Sequence, residues 1–400
     1  MGPLGGGRWG RRLAAVVGLF VFTTGCVSTG HQADNSGRPA QDTSTPASTR
    51  PVQHARASST TRPAQSVKHT AAVFPTHWSS YSIASGGWLG GPHTMSMSCP
   101  STGLCVAATS TDSLYVSTSP LSSAGGWKAI SLDPGNEMKT DSCSSTSLCV
   151  AADDDDNVFV SADPTVPAPT WTRANLDGDR STEGVPCSAD GVACAVTSLS
   201  CAGTTCAAST YDGSILATTN VTAGASSWRL VSLPAGFAPV GVSCGSPTFC
   251  LAIDGHGGVA ASSDLASNTW AAAKGYTPIE TSGAAISCSG NMWCAALDET
   301  GDTVWLSKDP IVNGWSTVDL SGMPPQSALG PNPLTAVSCP SGERCVVANL
   351  GGGIAISPDP LGRSGWKTTT STGNSVWALS CPSPSTCIAL DSAGNVLVGT

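Results

Sequence analysis

The stretch VSCPSGERCVVANLGGGIAISPDPLGRSGW, Val337 to Trp366, decides the fold because an earlier part of the chain repeats its pattern. The earlier stretch is VSCGSPTFCLAIDGHGGVAASSDLASNTW, Val242 to Trp270. Both contain a cysteine, a second cysteine six positions later, a turn rich in glycine or aspartate, an aspartate and then a tryptophan. Such self-similarity within one chain indicates a structural repeat.

The repeat occurs seven times, mostly at intervals of roughly 40 to 50 residues, a period typical of propeller blades. Its cysteine pairs are Cys99 and Cys105, Cys143 and Cys149, Cys201 and Cys206, Cys244 and Cys250, Cys288 and Cys294, Cys339 and Cys345, and Cys381 and Cys387. Seven tryptophans follow the same spacing, at Trp78, Trp127, Trp171, Trp228, Trp270, Trp315 and Trp366. The abundance of Gly, Ser, Thr and Pro predicts short strands joined by turns.

Each repeat predicts four strands. The first ends at a Ser-Cys dipeptide, the second begins at the next cysteine, the third is a segment such as NVFVS or GIAIS, and the fourth begins at the tryptophan. The chain enters on a tryptophan strand at Trp78 and ends at Thr400 after a third strand. We therefore predict an all-β, seven-bladed β-propeller over residues 76–400. The Trp78 strand would complete the last blade and remove both free edges.

The paired cysteines are predicted to form disulfides between adjacent antiparallel strands, where the Cα atoms of a non-hydrogen-bonded pair lie about 4.5 Å apart. Isolated pairs with few histidines nearby do not fit a zinc site. The third repeat holds four cysteines, so two arrangements stay open. One is Cys187 with Cys194 and Cys201 with Cys206, and the other is Cys187 with Cys206 and Cys194 with Cys201. Each repeat tryptophan is expected to fill the gap between two blades.

The first 25 residues resemble a bacterial lipoprotein signal peptide. Three arginines precede an apolar run of ten residues, which is shorter than the about 20 that a transmembrane helix needs. Small residues then lead to Cys26. The resemblance implies that Cys26 is lipidated and holds the protein at the outer face of the cell membrane. Thr23 stands where such signals usually carry an aliphatic residue, and plain secretion is the alternative. An even cysteine count beyond Cys26 fits an oxidising compartment.

Residues 26–75 are rich in Ser, Thr, Pro, Ala and Gln and lack apolar periodicity, which predicts a disordered tether. As a flexible coil it would span about 40 Å on average. The body beyond it carries 10 Lys and Arg (18 minus 8 in residues 1–75) against 25 Asp and Glu (27 minus 2). This excess of acid excludes nucleic acid as a partner, because phosphate binding requires cationic side chains.

Four connections resemble the Asp-box of sialidase-like propellers, which reads Ser-x-Asp-x-Gly-x-x-Trp. They are SADPTVPAPTW, SSDLASNTW, SKDPIVNGW and SPDPLGRSGW. Their loops are longer than that box and the glycine is displaced. The resemblance implies turn-forming, non-catalytic roles for Asp163, Asp264, Asp309 and Asp359. The body as a whole resembles secreted, disulfide-bearing propellers of high-GC Gram-positive bacteria.

No catalytic residue is predicted. A sialidase needs three arginines around the substrate carboxylate. Among the five arginines of the body, only Arg180 is expected on the ligand face, since Arg173 and Arg229 lie on outer strands. No Gly-x-Ser-x-Gly elbow precedes a helix, as a serine hydrolase would require. His256, in DGHGG, is expected to be a turn residue. The carboxylate pair of a glycoside hydrolase has no distinctive position in this pattern.

One face of the predicted ring is acidic. Turns between second and third strands share a face with the loops that join blades, and there the sequence places DDDDN, DGDRSTE, DETGD and Asp254. Clustered carboxylates are ligands for hard cations. Asp154, Asp155 and Asp156 are therefore candidates for binding calcium or a cationic partner, and solvated turns are the alternative.

Trp88, in SGGWLGGPH, is expected on the same face, either stacked on a sugar or a protein partner or packed between blades. With Arg180 and His256 it defines the candidate ligand face. We expect a monomeric, non-catalytic binding or scaffolding module for protein or envelope glycan, with calcium as the one candidate cofactor. A sialidase-like carbohydrate-active enzyme is the alternative, and two carboxylates converging at the ring mouth would favour it.

Overall fold

The chain divides into two units, Met1–Ser66 and Val67–Thr400, and all residues described below belong to the second. The computed structural model describes residues 75, 77–83, 96–109, 111–176, 195–272, 285–290, 292–297, 301–312, 314–324, 333–341, 344–362, 365–371 and 373–400. The predicted signal peptide and the predicted tether, including Cys26, lie outside the described residues.

Seven four-stranded antiparallel sheets form the blades. Blades 1 to 4 are β2(Ser96–Ser101) β3(Leu104–Ala108) β4(Ser113–Ser117) β5(Trp127–Ser131); β6(Met138–Ser145) β7(Leu148–Asp153) β8(Asn157–Ser161) β9(Thr172–Asn175); β10(Val196–Ala202) β11(Thr205–Thr210) β12(Ile215–Thr218) β13(Arg229–Leu230); and β14(Pro239–Ser246) β15(Phe249–Asp254) β16(Val259–Ser262) β17(Ala271–Ala272).

Blades 5 to 7 are β18(Ile286–Ser289) β19(Trp293–Leu297) β20(Thr303–Ser307) β21(Ser316–Asp319); β22(Leu334–Ser341) β23(Arg344–Asn349) β24(Gly353–Ser357) β25(Lys367–Thr370); and β26(Val376–Ser383) β27(Thr386–Asp391) β28(Asn395–Gly399) with β1(Trp78–Ser82). Short 3₁₀ turns lie in the connections, at Ala124–Gly126, Val221–Ala223, Ala225–Ser227 and Leu265–Ser267.

The ring closes as the sequence predicts. Strand β1 pairs antiparallel with β28, with Trp78 opposite Gly399 and Ser82 opposite Asn395. The first strand of each blade contacts the first strands of both neighbours, so these seven strands form the innermost wall. The predicted seven-bladed propeller with its shared last blade is confirmed. Because the first and the last strand of the propeller pair with each other, the outward side of β28 is covered by β1 and is not left unpaired.

A disulfide joins the first and second strands of every blade, and the two Cα atoms lie 4.0–4.2 Å apart. The seven predicted pairs are all bonded, namely Cys99 to Cys105, Cys143 to Cys149, Cys201 to Cys206, Cys244 to Cys250, Cys288 to Cys294, Cys339 to Cys345, and Cys381 to Cys387. In blade 3 the bond from Cys201 to Cys206 excludes the nested arrangement. Cys187 and Cys194 lie outside the described residues.

The serine before each first cysteine has a role that the sequence did not reveal. Its hydroxyl oxygen accepts a hydrogen bond from the backbone N–H of the first cysteine in the next blade. Ser98 accepts from Cys143 at 2.8 Å, and Ser380 of blade 7 accepts from Cys99 of blade 1 at 2.9 Å. The remaining five bonds are 2.9 to 3.0 Å long. The Ser-Cys dipeptide therefore forms a closed ring of seven bonds between blades.

Each seam between two blades holds its own apolar core and one repeat tryptophan, as predicted. Trp127 of blade 1 packs with Ile388 and Leu390 of blade 7, for example. The other six tryptophans lie in the six other seams in the same way. Trp127 also donates from Nε1 to the hydroxyl of Tyr81 at 2.9 Å, and that hydroxyl donates to the carbonyl of Pro120. Tyr81 lies on β1, so this chain of bonds links the closing strand to blade 1.

Candidate binding site

The two faces of the propeller follow from the antiparallel order of the strands. Connections from the first to the second strand, which carry the disulfides, lie on one face together with connections from the third to the fourth strand. We call this the disulfide face. Turns between second and third strands lie on the opposite face, together with the loops that lead to the next blade. We call this the turn face.

A cavity of about 1300 Å³ lies along the ring axis, and the innermost strands line it. Most of its lining side chains are small hydroxyl or aliphatic groups, including the serines before the first cysteines. At the turn face the lining includes Tyr211, from the turn between β11 and β12, and Trp377, near the start of β26. Tyr211 is 70% exposed, which is unusual for a large aromatic side chain. The channel therefore opens at the turn face between two aromatic residues on separate blades.

Only two charged residues belong to the described lining of this cavity, Lys139 and Asp141. The Lys139 ammonium lies 2.7 Å from a carboxylate oxygen of Glu137 and 4.0 Å from one of Asp154. Asp141 supplies the only carboxylate of that lining. Two carboxylates flanking one bond, as glycoside hydrolysis requires, are thus not present among the described lining residues.

Asp141 stands where the other blades carry an apolar residue. It lies two positions before the first cysteine of blade 2, and the equivalent residues are Met97, Leu199, Val242, Ile286, Val337 and Leu379. Its side chain lies in the seam with blade 1 and is 4% exposed. The backbone N–H of Ala108 donates to Oδ1 at 3.1 Å, whereas Oδ2 has no hydrogen-bond partner among the described residues.

Burial raises the pKa of the Asp141 carboxyl to about 7, and the hydrogen bonds it accepts oppose that rise. Its neighbours across the seam, Ser96, Ser98 and Ala108, are all uncharged. A buried carboxylate without a nearby cation is destabilised in its charged form. An alignment of the seven repeats could have identified Asp141, because the other six repeats have an apolar residue at its position.

Most aspartates at the start of the turns on the turn face are structural. Asp153 accepts from the backbone N–H groups of Asp155 and Asn157 through Oδ1, both at 2.9 Å. Asp254 and Asp391 accept from the equivalent positions two and four residues later, and so does the side-chain oxygen of Asn349. These side chains stabilise the turns in which they lie by accepting backbone hydrogen bonds, as aspartate and asparagine commonly do.

The predicted calcium residues do not form a recognisable metal site. Asp154 accepts from the backbone N–H of Glu137 at 2.9 Å, Asp155 is exposed, and Asp156 is buried in a left-handed conformation with φ 58°. No group of three or more His, Cys, Asp or Glu side chains within the described ranges could hold a metal ion. Calcium binding stays a prediction.

The other predicted ligand-face residues fall in different places. His256 is exposed in the turn between β15 and β16, on the turn face, and its backbone N–H donates to Asp254. Trp88 and Arg180 lie outside the described residues. The structure therefore places one of the three predicted residues on this face. It adds Tyr211, Trp377 and Asp141, which the sequence analysis did not single out.

On the disulfide face, the aspartates of the four quoted connections act within their turns. Asp264, Asp309 and Asp359 each accept a backbone N–H two or three residues later, at 3.1 to 3.2 Å. Asp163 accepts instead from the Thr165 hydroxyl at 2.9 Å. Their hydrogen bonds account for these carboxylates without a catalytic role.

Known proteins share the fold with this chain at low identity. No family model and no curated protein matches the sequence. The chain is similar to the solved structure of YCF48 bound to D1 peptide, with 13% identity over 81% of this chain and 96% of that chain, at a TM-score of 0.57. YCF48 from Cyanidioschyzon merolae matches with 15% identity over 80% and 98%, at a TM-score of 0.54.

A chain in the crystal structure of the mitotic checkpoint complex matches with 11% identity over 82% of this chain and 94% of that chain, at a TM-score of 0.56. Identities this low show a common propeller fold and nothing finer. Within the described residues, no helix is long and apolar enough to cross a membrane.

Proposed function

We propose that this protein is a non-catalytic binding module that holds a segment of a partner protein across the channel mouth on the turn face. The observation that carries the proposal is the cavity of about 1300 Å³ that opens between the exposed Tyr211 and the half-buried Trp377. Aromatic residues at the rim of a concave site are typical anchors of protein partners. One of the similar structures, YCF48, is described as bound to a peptide, which supports a propeller of this kind as a peptide holder.

An envelope glycan is the second candidate ligand. Tyrosine and tryptophan rings also stack on sugars, and the hydroxyl-rich lining offers hydrogen-bond donors and acceptors to sugar hydroxyls. The enzyme alternative has less support, because Asp141 is the only carboxylate in the described lining and its Oδ2 is buried. Hydrolysis of a glycosidic bond needs a second carboxylate beside it.

The proposed attachment to the membrane depends on residues 1–75. We infer that Cys26 carries a lipid and that the tether holds the propeller outside the cell membrane. A Cys26→Ser variant is then expected in the culture medium, whereas the unaltered chain stays in the membrane fraction. Equal membrane retention of both proteins would refute the anchor.

Site-specific photo-crosslinking tests the binding proposal. A benzophenone amino acid replaces Tyr211, and in a control protein it replaces Val312, which is 61% exposed on the disulfide face. We expect adducts from position 211 in intact cells that a protease digests, and few from position 312. Adducts that resist protease but yield to glycosidases would support the glycan. Equal adducts from both positions, or none from either, would refute a site at the turn face.

A further inference from the structure

The two faces differ in charge. Among the described residues, the connections and strand ends of the turn face carry twelve carboxylates, eleven aspartates and Glu137, against two cations. Those of the disulfide face carry four aspartates against five lysines and arginines. The formal charges are therefore −10 on the turn face and +1 on the disulfide face. Like charges on one face create a potential that attracts ligands of opposite sign.

Both cations of the turn face are already engaged. Lys139 contacts Glu137 and Asp154, and the Arg173 guanidinium lies 3.2 Å from Asp133 and 4.0 Å from Asp155. Twelve carboxylates face only these two cations, and even Asp155, 4.0 Å from Arg173, keeps a side chain that is 62% exposed. The face thus retains its negative charge after its internal ion pairs are formed.

The channel mouth adds groups that recognise a cation at short range. Tyr211 presents an exposed ring, and the face of an aromatic ring attracts an ammonium or guanidinium group. Asp141 also belongs to the cavity lining, and its Oδ2, buried at the seam beside the channel, has no hydrogen-bond partner among the described residues. A buried polar atom without a partner is costly. A cationic donor that reached this oxygen from the channel would remove that cost.

We propose that the partner segment is basic: an extended stretch with lysine or arginine side chains crosses the channel mouth, and one cationic group enters the channel toward Asp141. This inference rests on the proposed function and names its ligand chemistry. The rim carboxylates would attract the segment, Tyr211 would contact one of its cations, and Asp141 would pair with the group that enters. A cation beside Asp141 favours the charged carboxylate, so binding should release a proton near neutral pH.

Two matched peptides test the charge of the ligand. They are ten-residue Gly/Ser chains that differ only in carrying three lysines or three glutamates, and each is titrated into the full chain at pH 8. We expect saturable one-to-one binding of the lysine peptide, weakened as sodium chloride rises from 50 to 500 mM. We expect no binding of the glutamate peptide. Binding of both peptides with equal affinity would leave the proposed function intact and overturn this inference.

Four variants locate the site. Asp141→Asn is expected to weaken the lysine peptide by about tenfold or more, because truncating a buried charge pair is costly. Tyr211→Ala is expected to weaken it by about threefold. The matched controls are Asp163→Asn, which removes one charge from the disulfide face, and Val312→Ala. Neither should change the affinity. If Asp163→Asn weakens binding as much as Asp141→Asn, the attraction is diffuse and the proposed site is wrong.

The pH dependence separates binding from folding by its sign, because raising the pH from 5 to 8 should lower the stability of the unaltered chain and raise its affinity for the lysine peptide. Protonation of Asp141 removes its charge, so the unaltered chain should bind the lysine peptide about tenfold more weakly at pH 5 than at pH 8. Asp141→Asn should show no such step. A step of equal size in both proteins would exclude Asp141 from the site.

Discussion

The disulfide face and the turn face show opposite kinds of sequence variation. The disulfide face uses the same three devices in every blade: a cysteine pair, a serine that accepts from the next blade, and a tryptophan in the seam. The turn face differs from blade to blade, with Tyr211, Trp377 and most of the charge in particular blades. The comparison indicates that the disulfide face stabilises the ring, whereas the residues of the turn face can differ from blade to blade and form a binding site. Substitutions on the two faces should therefore have separate effects.

The largest effect is expected in the seam that closes the ring. Trp127→Ala removes a buried ring between blades 1 and 7 and leaves the Tyr81 hydroxyl without its donor. We expect the free energy of unfolding to fall by about 3–5 kcal/mol, measured by chemical denaturation. Tyr211→Ala on the turn face serves as the control and should change stability by less than about 0.5 kcal/mol. Equal losses would remove the distinction between the faces.

The next effect concerns the seam between blades 1 and 2, where Asp141 replaces the apolar residue found at the same position in the other blades. The folded protein holds the pKa of Asp141 near 7, above the value of about 4 in an unfolded chain. Its contribution to stability is therefore fully present below about pH 4 and is lost as pH rises through 7. About three pKa units correspond to about 4 kcal/mol.

Asp141→Leu tests this by installing the residue found at the same position in blades 3 and 7. Its stability advantage over the unaltered chain should grow by about 4 kcal/mol between pH 4 and pH 8, followed by denaturant unfolding at each pH. An advantage that stays constant across this range would show that the carboxyl titrates normally.

Removal of one disulfide should cost less. Replacing Cys143 and Cys149 together by alanine releases a loop of about seven residues, which the chain-entropy model values at roughly 2.4 kcal/mol. The melting temperature should fall, whereas binding of the lysine peptide at a temperature where both proteins are folded should not change. A loss of peptide binding in the folded variant would show that the disulfide face also shapes the site.

The smallest effect separates the serine ring from the disulfides. Ser142→Ala deletes the acceptor for the Cys201 N–H, which lies 2.9 Å away, and we expect a loss of about 1 kcal/mol. Thr146→Ala, in the exposed hairpin of the same blade, is the control and should be nearly neutral. If the two variants are equally stable, the serine bonds are replaced by water at no cost.

Most of the fold could be predicted from residue spacings within a single repeat. The cysteine partners are five or six residues apart, and the strands between them are short, so spacing alone predicts which residues bond. The ring closure was predictable for a related reason, because the incomplete repeat at each end lacks the part that the other supplies. The binding site was much harder to predict. Trp88 and Arg180 were chosen from the expected position of their loops, whereas Tyr211 is an ordinary turn residue until its place at the channel mouth is known.

The sequence by itself therefore determined the number of blades, the strands, the disulfides and the closing strand, since these depend on contacts within one repeat or on the count of repeats. Only the tertiary structure decided which groups meet across the seams. Ser98 and Cys143 are 45 residues apart, and Asp141 meets Ala108 from 33 residues away. Such contacts depend on the twist and stagger of neighbouring blades, which no local pattern encodes. The burial of Asp141 and the aromatic mouth of the channel arise from that packing.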